Sequence, residues 1–154
     1  MKSNTLNFGI IGNCQSSALI NENSSIDWCC LPQFDSASVF AKILDEQKGG
    51  SFKIECDKTY KSSQNYIENT SILVTKFENG ENSFEVIDFM PRYQKENGSF
   101  YSPPEIIRFI KLIRGKPKFK ILYDPKLEYA LGNTNTYIKD EFIVSVVDEK
   151  RYGT

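Results

Sequence analysis

Aromatic, amide and carboxylate side chains occur close together in residues 25–40 of the sequence. This stretch has the composition of a short strand that ends near a proline, followed by a polar loop. Its side chains suited to recognition chemistry are Trp28, Gln33, Phe34 and Asp35. Aromatic rings beside carboxylates and amides suit sugar rings, so these residues are candidates for a carbohydrate-binding site. The alternative is purely structural, with Trp28 and Phe34 in the core and Asp35 in a turn or helix cap.

A second cluster, residues 88–92, closes another apolar run with an acid and a base. Asp88 and Arg92 flank the apolar residues Phe89 and Met90. We include both charged residues among the candidate site residues. The structural alternative is an ion pair between them at the end of a strand, or the pairing of one of them with a loop.

The remaining acidic residues do not form a recognisable catalytic pair. Two carboxylates are sufficient for glycoside hydrolysis, but the aspartates and glutamates are scattered among turns and strand faces. The chain contains no histidine, the most common proton shuttle at neutral pH. It also lacks glycine-rich phosphate loops, metal-ligand clusters and nucleophile elbows. We therefore expect no catalytic residues, no metal and no cofactor in this chain.

Length and charge restrict the possible classes of protein. The 154 residues, 40% of them hydrophobic, suffice for one domain with a core, and we expect a single domain over residues 1–154. The net charge of -1 argues against a nucleic-acid or membrane partner. Neither a signal peptide nor a membrane span is recognisable, so we expect a cytoplasmic protein. The adjacent Cys29 and Cys30 form an awkward disulfide framework, which favours reduced thiols.

The pattern along the chain predicts an all-β protein. Short runs rich in Ile, Val, Phe and Tyr are bounded by Gly, Asn, Asp and Pro, as is typical of strands. The predicted strands are residues 6–11, 17–20, 26–30, 51–55, 71–77, 83–89, 105–114, 117–123 and 141–147. Residues 105–113 also fit a helix, although their nearly continuous β-branched character favours a strand. In residues 118–123, Phe119, Ile121 and Tyr123 share one face, as in a half-buried antiparallel strand.

Connections and one helix complete the prediction. Residues 21–25 and 79–82 have the composition of hairpin turns, and residues 115–117 that of another tight connection. Residues 38–46 predict a short helix, because their apolar residues fall on one side and a glycine pair follows. The polar stretches 58–65 and 94–102 are predicted to be long loops. The expected fold is an antiparallel β-sandwich with one short helix.

Several of these segments, in this order, resemble the opening of glycoside hydrolase family 15. They are GIIGN (9–13), SALI (17–20), SSIDW (24–28), LP (31–32), FDS (34–36), SVF (38–40), NTSIL (69–73), VIDFMPR (86–92), PEIIR (104–108) and YDPKLEY (123–129). The resemblance covers roughly residues 6–130. This sequence has Cys14, Gln15 and Gln33 at positions where a glycine and two arginines are common in the family.

The resemblance implies a supersandwich-like amino-terminal domain that packs against a carboxy-terminal (α/α)6 barrel. Members hydrolyse α-glucosidic bonds in starch oligosaccharides, dextrins or trehalose with inversion, and their two catalytic glutamates belong to the barrel. No segment of this chain matches the barrel, so no catalytic residue is carried over. By the resemblance, the loop 31–36 faces the catalytic domain or the rim of its sugar pocket. The chain ends at Thr154, before the end of the sandwich that the resemblance implies, which we interpret as a truncation.

Two functions of different classes therefore remain open. The first is a non-catalytic amino-terminal domain that stabilises a glucoamylase-type or trehalase-type hydrolase, whose substrate is an α-glucan oligosaccharide or trehalose. The second is a free-standing carbohydrate-binding or protein-interaction module. A third reading is a structural β-domain that pairs with a subunit through an exposed edge or apolar patch.

Overall fold

The computed structural model describes residues 7–148 and confirms an all-β, sandwich-like fold. Fourteen strands and one 3₁₀ turn are present in this range. The strands are β1 (Phe8–Gly12), β2 (Ser17–Asn21), β3 (Ile26–Cys30), β4 (Ser38–Phe40), β5 (Ser51–Cys56), β6 (Lys61–Tyr66), β7 (Leu73–Glu78), β8 (Ser83–Phe89), β9 (Tyr93–Gln94), β10 (Phe100–Tyr101), β11 (Ile107–Arg114), β12 (Phe119–Asp124), β13 (Thr134–Lys139) and β14 (Phe142–Val147). The 3₁₀ turn is Glu128–Ala130. No helix of membrane-spanning length and hydrophobicity is found in these residues.

Two antiparallel sheets form the body of the fold. The first has the order β1-β2-β3-β5-β12, with β4 paired to β3, and the second has the order β11-β8-β7-β6. Two small two-stranded sheets, β9–β10 and β13–β14, complete the described residues. Because sequential strands are mostly neighbours, hairpin turns make most of the connections within each sheet.

The core lies between the two large sheets and follows the two-residue period of the strands. In β2, Ala18 and Ile20 are buried, while in β8 Phe84 and Val86 are buried. The larger apolar cluster, which includes Ile11, Leu73 and Met90, is formed mainly by β1 to β4 and β7. A second cluster, around Phe77 and Phe84, adds the ring of Phe119 from β12, stacked on Phe84 with centroids 4.9 Å apart.

The predicted hairpin turns are confirmed at residues 21–25 and 79–82, which join β2 to β3 and β7 to β8. In the second turn the side chain of Asn79 accepts a hydrogen bond from the backbone N–H of Asn82, at 2.9 Å. Residues 115–117 also form a tight connection. This connection joins β11 of one sheet to β12 of the other, so it crosses between the sheets.

The predicted helix over residues 38–46 is wrong. Ser38–Phe40 is strand β4, in which Phe40 lies opposite Cys29 of β3. The Phe40 ring packs edge-on against Tyr123, with centroids 5.9 Å apart. Residues 41–49 then form a closed loop, in which Gly49 accepts a hydrogen bond from the N–H of Ala41 at 2.7 Å. A Cβ at Gly49 would lie 2.2 Å from the carbonyl oxygen of Ala41, so only glycine fits there.

Both predicted long loops contain strands. Residues 61–66 form β6 at the edge of the four-stranded sheet, and β9 and β10 form a short hairpin within residues 93–101. β6 has the polar sequence KSSQNY because both an edge and one face of this strand meet solvent. The segment 105–114 is a strand, as favoured from the sequence, beginning at Ile107.

Candidate functional site

Asp88 and Arg108 form a buried ion pair in the four-stranded sheet. They lie opposite each other in β8 and β11. The guanidinium Nε of Arg108 is 2.8 Å from Oδ1 of Asp88, and its Nη2 is 3.0 Å from Oδ2. The side chains of Asp88 and Arg108 are only 0% and 4% exposed. Asp88 therefore has no surface that an external ligand could reach.

The same guanidinium joins the two sheets. Arg108 donates to the backbone carbonyls of Phe52, at 2.7 Å, and Ser24, at 2.6 Å. It also lies over the Phe52 ring, with Cζ 4.8 Å from the centroid. Phe52 belongs to β5 and Ser24 to the turn between β2 and β3, both in the opposite sheet. The pair therefore connects the two sheets. The sequence analysis did not identify Arg108 as the basic residue of this pair.

Arg92 does not pair with Asp88. Asp88 points into the sandwich from β8, while Arg92 follows the end of that strand and is exposed. Its guanidinium lies over the ring of Phe100, with Cζ 3.9 Å from the centroid. Arg92 therefore belongs to an exposed surface at the end of the sandwich.

Four loops meet at this end, which we call the loop end: residues 13–16, 31–37, 91–106 and 125–133. Hydrogen bonds connect them. The side-chain amide of Asn13 donates to the carbonyl of Pro103 at 2.8 Å, and the N–H of Phe34 donates to the carbonyl of Gln15 at 2.9 Å. The hydroxyl of Tyr129 donates to the carbonyl of Ser36 at 3.2 Å. The loop end is therefore a connected surface.

Asn13 is the buried anchor of this surface. Its side chain is 2% exposed, and its Oδ1 accepts hydrogen bonds from the N–H groups of Gln15 and Ser16, both at 3.1 Å. The carbonyl of Asn13 accepts a further bond from the hydroxyl of Ser102, at 2.8 Å. Because Asn13 binds both its own turn and the segment that contains Ser102, it fixes the position of Gln15, on which Phe34 depends.

The loop 31–36 displays three of the predicted site residues. Gln33, Phe34 and Asp35 are exposed, and the Phe34 side chain is 59% accessible. Two hydrogen bonds between Gln33 and Ser36 close the loop: the Gln33 N–H donates to the Ser36 hydroxyl at 3.0 Å, and the Ser36 N–H donates to the Gln33 carbonyl at 3.1 Å. A large apolar ring is therefore held in water on an ordered loop, as is typical of recognition surfaces.

Trp28 lies apart from this loop. It is half-buried in β3 opposite Leu19, which in turn lies opposite Ile10 of β1. These three residues form a row on the outer face of the six-stranded sheet, because their neighbours Ile11 and Ala18 point into the core. The sequence analysis grouped Trp28 with Phe34 because they are close along the chain; in the structure Trp28 lies on a strand and Phe34 on the loop that follows it.

Further aromatic residues enlarge the surface at the loop end. They are exposed by 49–56% and comprise Tyr93, Phe100, Tyr101 and Tyr129. Tyr93 and Tyr101 lie opposite each other in the β9–β10 hairpin, and the ammonium of Lys95 is 5.3 Å from the centroid of the Tyr101 ring. The sequence analysis missed these residues. The available signal was three aromatic residues within and beside a polar segment predicted to be a loop.

The thiols do not contribute reactive groups to this surface, with the exception of the exposed Cys14. All four cysteines are free, as predicted. Burial raises the pKa of Cys29 to about 12, with a further contribution from the neighbouring Cys30. Burial likewise raises the pKa of Cys56 to about 11. Within residues 7–148, no cluster of three His, Cys, Asp or Glu side chains could hold a metal ion.

Comparison with known proteins assigns the family. The family model for the trehalase-like N-terminal domain matches residues 4–149. Trehalase 2 of Sulfolobus acidocaldarius is 37% identical over 148 residues, which cover 96% of this chain and 23% of that protein. The trehalase of Thermoplasma volcanium is 39% identical over 125 residues, which cover 79% of this chain and 20% of the relative.

A third relative gives the same picture. The trehalase of Thermoplasma acidophilum is 40% identical over 115 residues, covering 73% of this chain and 19% of that protein. The chain thus spans about a fifth of the length of these relatives. No solved structure matches it significantly. On the agreement of the family model over nearly the whole chain, the chain belongs to the trehalase-like N-terminal domain family.

Proposed function

We propose that this chain is the non-catalytic amino-terminal domain of a trehalase-like glycoside hydrolase and that it stabilises a carboxy-terminal catalytic domain. The observation that carries the proposal is the pattern of similarity: 96% of this chain aligns with only 23% of a trehalase. The buried carboxylates have structural partners, since Asp88 binds Arg108 and Asp27 accepts a hydrogen bond from the Asn21 amide at 2.9 Å.

More specifically, we propose that the whole protein is a member of glycoside hydrolase family 15 with an (α/α)6 catalytic barrel. The relatives are named trehalases, which favours trehalose over starch oligosaccharides as the substrate of the whole enzyme. The four free thiols favour a reducing cytoplasm as its location.

We assign the docking of the catalytic domain to the loop end. Exposed aromatic residues there offer large contact area at low entropic cost, and aromatic residues dominate the binding energy of many interfaces. Phe34 and Asp35 are central to this proposal, because two hydrogen bonds close their loop and Gln15 and Tyr129 hold it from outside. An ordered loop gives up little conformational entropy on docking.

The test is substitution in the two-domain enzyme. We expect Phe34→Ala or Asp35→Ala to raise KM or to weaken domain docking, each by at least about fivefold, since an interface residue of this kind contributes more than about 1 kcal/mol. Phe109→Ala is the matched control for Phe34, because Phe109 is 56% exposed on the outer face of the other sheet. Glu81→Ala, in the β7–β8 turn, is the control for Asp35. Unchanged KM and unchanged thermal unfolding of both loop variants would refute the assignment.

The exposed aromatic residues also favour the second function, a sugar-binding module. Tyr93 and Tyr101 form a cross-strand pair that a pyranose ring could stack against. Calorimetric titration of the isolated chain with trehalose, maltose and maltotriose separates the two functions. A docking domain gives no binding heat, whereas a sugar-binding module gives a heat that Tyr101→Ala abolishes and Phe109→Ala leaves intact.

A further inference from the structure

The turn of the β9–β10 hairpin contains an asparagine followed directly by a glycine, Asn97 and Gly98. Such a pair can modify itself, because the backbone nitrogen of the glycine can attack the side-chain carbonyl carbon of the asparagine and close a five-membered ring. A glycine leaves the most room for this attack, since it has no Cβ. The same pair occurs at Asn79 and Gly80, in the turn between β7 and β8. The two sites can therefore be compared within one molecule.

The side-chain carbonyl of Asn97 is activated by its hydrogen bonds. Its Oδ1 accepts two bonds from Ser99, one from the backbone N–H at 3.0 Å and one from the hydroxyl at 2.7 Å. When the glycine nitrogen adds to Cγ, negative charge develops on this same oxygen. Donors that point at an oxygen on which charge develops stabilise the transition state. Ser99 is therefore placed to assist the closure of the ring.

Gly98 has the freedom of movement that the attack requires. A Cβ added at Gly98 would meet no atom within 4 Å, and residues 97–99 are exposed. The nucleophilic N–H donates to the carbonyl of Lys95 at 2.9 Å, and this bond must open first. The strands of the hairpin are only two residues long, so the opening disturbs few other bonds. Local opening of the hairpin thus releases the nitrogen beside the activated carbonyl.

The second pair is restrained where the first is free. The side-chain carbonyl of Asn79 also accepts a hydrogen bond, from Asn82, so the difference lies in the mobility of the turn. Asn79 is half-buried and donates to the hydroxyl of Thr59 at 3.4 Å, while Arg114 donates to the carbonyl of Gly80 at 2.7 Å. The flanking strands β7 and β8 are interior strands of their sheet. Opening of this turn therefore costs more free energy than opening of the β9–β10 hairpin.

We propose that Asn97 is a site of self-catalysed deamidation. The Gly98 nitrogen loses its proton to water and bonds to Cγ of Asn97, the carbon-nitrogen bond of the side-chain amide breaks, and that nitrogen leaves as ammonia. A water molecule then opens the resulting succinimide at either carbonyl, which gives aspartate or isoaspartate at residue 97. Nothing is oxidised or reduced, and water is the co-reactant.

The product adds a negative charge to the loop end. The Lys95 ammonium, 5.3 Å from the centroid of the Tyr101 ring, belongs to the same turn. A carboxylate at residue 97 competes with Tyr101 for this ammonium, and isoaspartate also lengthens the backbone of the turn by one carbon atom. The loop end is the surface to which we assign docking of the catalytic domain, so docking should weaken as the protein ages. This consequence rests on the proposed function, whereas the modification itself does not.

Incubation of the folded chain at mildly alkaline pH, followed by peptide mapping with mass spectrometry, tests the proposal. We expect the product at residue 97 to accumulate at least about tenfold faster than the product at residue 79, because the first turn opens more easily. Ser99→Ala removes one of the two donors and should slow the reaction at residue 97 at least about fivefold. Ser63→Ala is the matched control, since Ser63 is an exposed serine in β6, and it should leave the rate unchanged.

The same incubation in urea separates the fold from the local sequence. Both pairs are asparagine followed by glycine, so their rates should become similar when the chain is unfolded. A difference between the two sites that persists in urea would assign it to the local sequence and overturn the structural argument. Equal rates at both sites in the folded chain, or an unchanged rate in a folded Ser99→Ala variant, would also overturn it. The comparison of the two sites needs no variant, and none of these results depends on docking or catalysis.

Discussion

Asp88 and Arg108 lie opposite each other in adjacent strands, and their ion pair is almost completely buried between the sheets. Burying two charges costs several kcal/mol unless other polar groups satisfy them. Arg108 meets this condition through its bonds to the carbonyls of Ser24 and Phe52. The pair therefore fixes how the two sheets are placed on each other, and hence where the loops of each sheet meet.

Removal of the guanidinium should be severely destabilising. Arg108→Met leaves Asp88 buried and unpaired, and we expect a loss of about 3–5 kcal/mol in the free energy of unfolding. Urea denaturation measures this loss. Adding Asp88→Leu should recover part of it, because no buried charge then remains. The control is Lys53→Met, which breaks an exposed pair with Glu55 and should cost less than about 1 kcal/mol. Similar losses of unfolding free energy in Arg108→Met and Lys53→Met would contradict the special role of the buried pair.

Only one thiol should react in the native protein. Cys14 is exposed, whereas burial raises the pKa of Cys29, Cys30 and Cys56 and keeps them protonated. We expect a thiol-disulfide reagent at pH 8 to label Cys14 rapidly and the other three only after unfolding, as measured by mass spectrometry. Cys14→Ser should remove the fast phase. Fast labelling of Cys29 or Cys30, the two buried thiols, would show that the sheets open readily.

The same pKa shifts give a pH dependence of stability. In the unfolded chain the thiols ionise near their ordinary pKa of 9.0, while folded Cys29 ionises only near about 12. Between these values the unfolded state binds fewer protons than the folded state, so stability falls as pH rises. We expect Cys29 to leave the urea midpoint unchanged below about pH 9 and to lower it as the pH rises above that value. Cys29→Ala should reduce this decline.

The local sequence pattern predicted the buried strands correctly. It failed where contacts between residues far apart in the sequence determine the secondary structure. The predicted bounds of β3 and β8 agree with the structure, because both strands are buried and bounded by turn residues. β6 was missed because its polar sequence meets solvent. The apolar spacing around Phe40 fits a helix, yet the contact of its ring with Tyr123, 83 positions further along the chain, selects a strand.

The site was predictable only in part for a related reason. Phe34 and Asp35 are exposed on an ordered loop, and their role in binding stays a prediction. The partner of Asp88 depends on the register between β8 and β11, which no local pattern encodes. For the same reason Arg92, the nearest base in the sequence, was considered as a partner of Asp88, and Arg108 was missed.

Asn13 should stabilise the whole loop end. Asn13→Ala removes the side-chain bonds to Gln15, Ser16 and Pro103 and leaves buried groups unsatisfied. We expect a loss of about 1–3 kcal/mol in unfolding free energy. Hydrogen exchange at the Phe34 N–H should accelerate, because Gln15 no longer holds its acceptor in place. Asn97→Ala is the control, since Asn97 caps an exposed turn. Unchanged hydrogen exchange at the Phe34 N–H would show that Asn13 does not hold this loop in place.

Tyr66 should protect the edge of the six-stranded sheet. Its hydroxyl accepts a hydrogen bond from the N–H of Ile10 at 2.7 Å and donates to the carbonyl of the same residue at 2.9 Å. β1 is an edge strand, and these are the backbone groups that a foreign strand would otherwise pair with. Tyr66→Phe keeps the ring but exposes both groups. We expect a loss of about 1 kcal/mol in unfolding free energy.

The decisive measurement for Tyr66 is amide exchange at single residues. The Ile10 N–H should lose its protection in Tyr66→Phe, whereas the Ile11 N–H should keep it, because alternate amides of an edge strand face its partner β2. Tyr93→Phe is the matched control, since Tyr93 is 56% exposed in the β9–β10 hairpin. Equal exchange at Ile10 in both variants would mean that the hydroxyl does not cover the edge. Loss of protection confined to Ile10 would identify Tyr66 as the group that shields β1 from strand pairing.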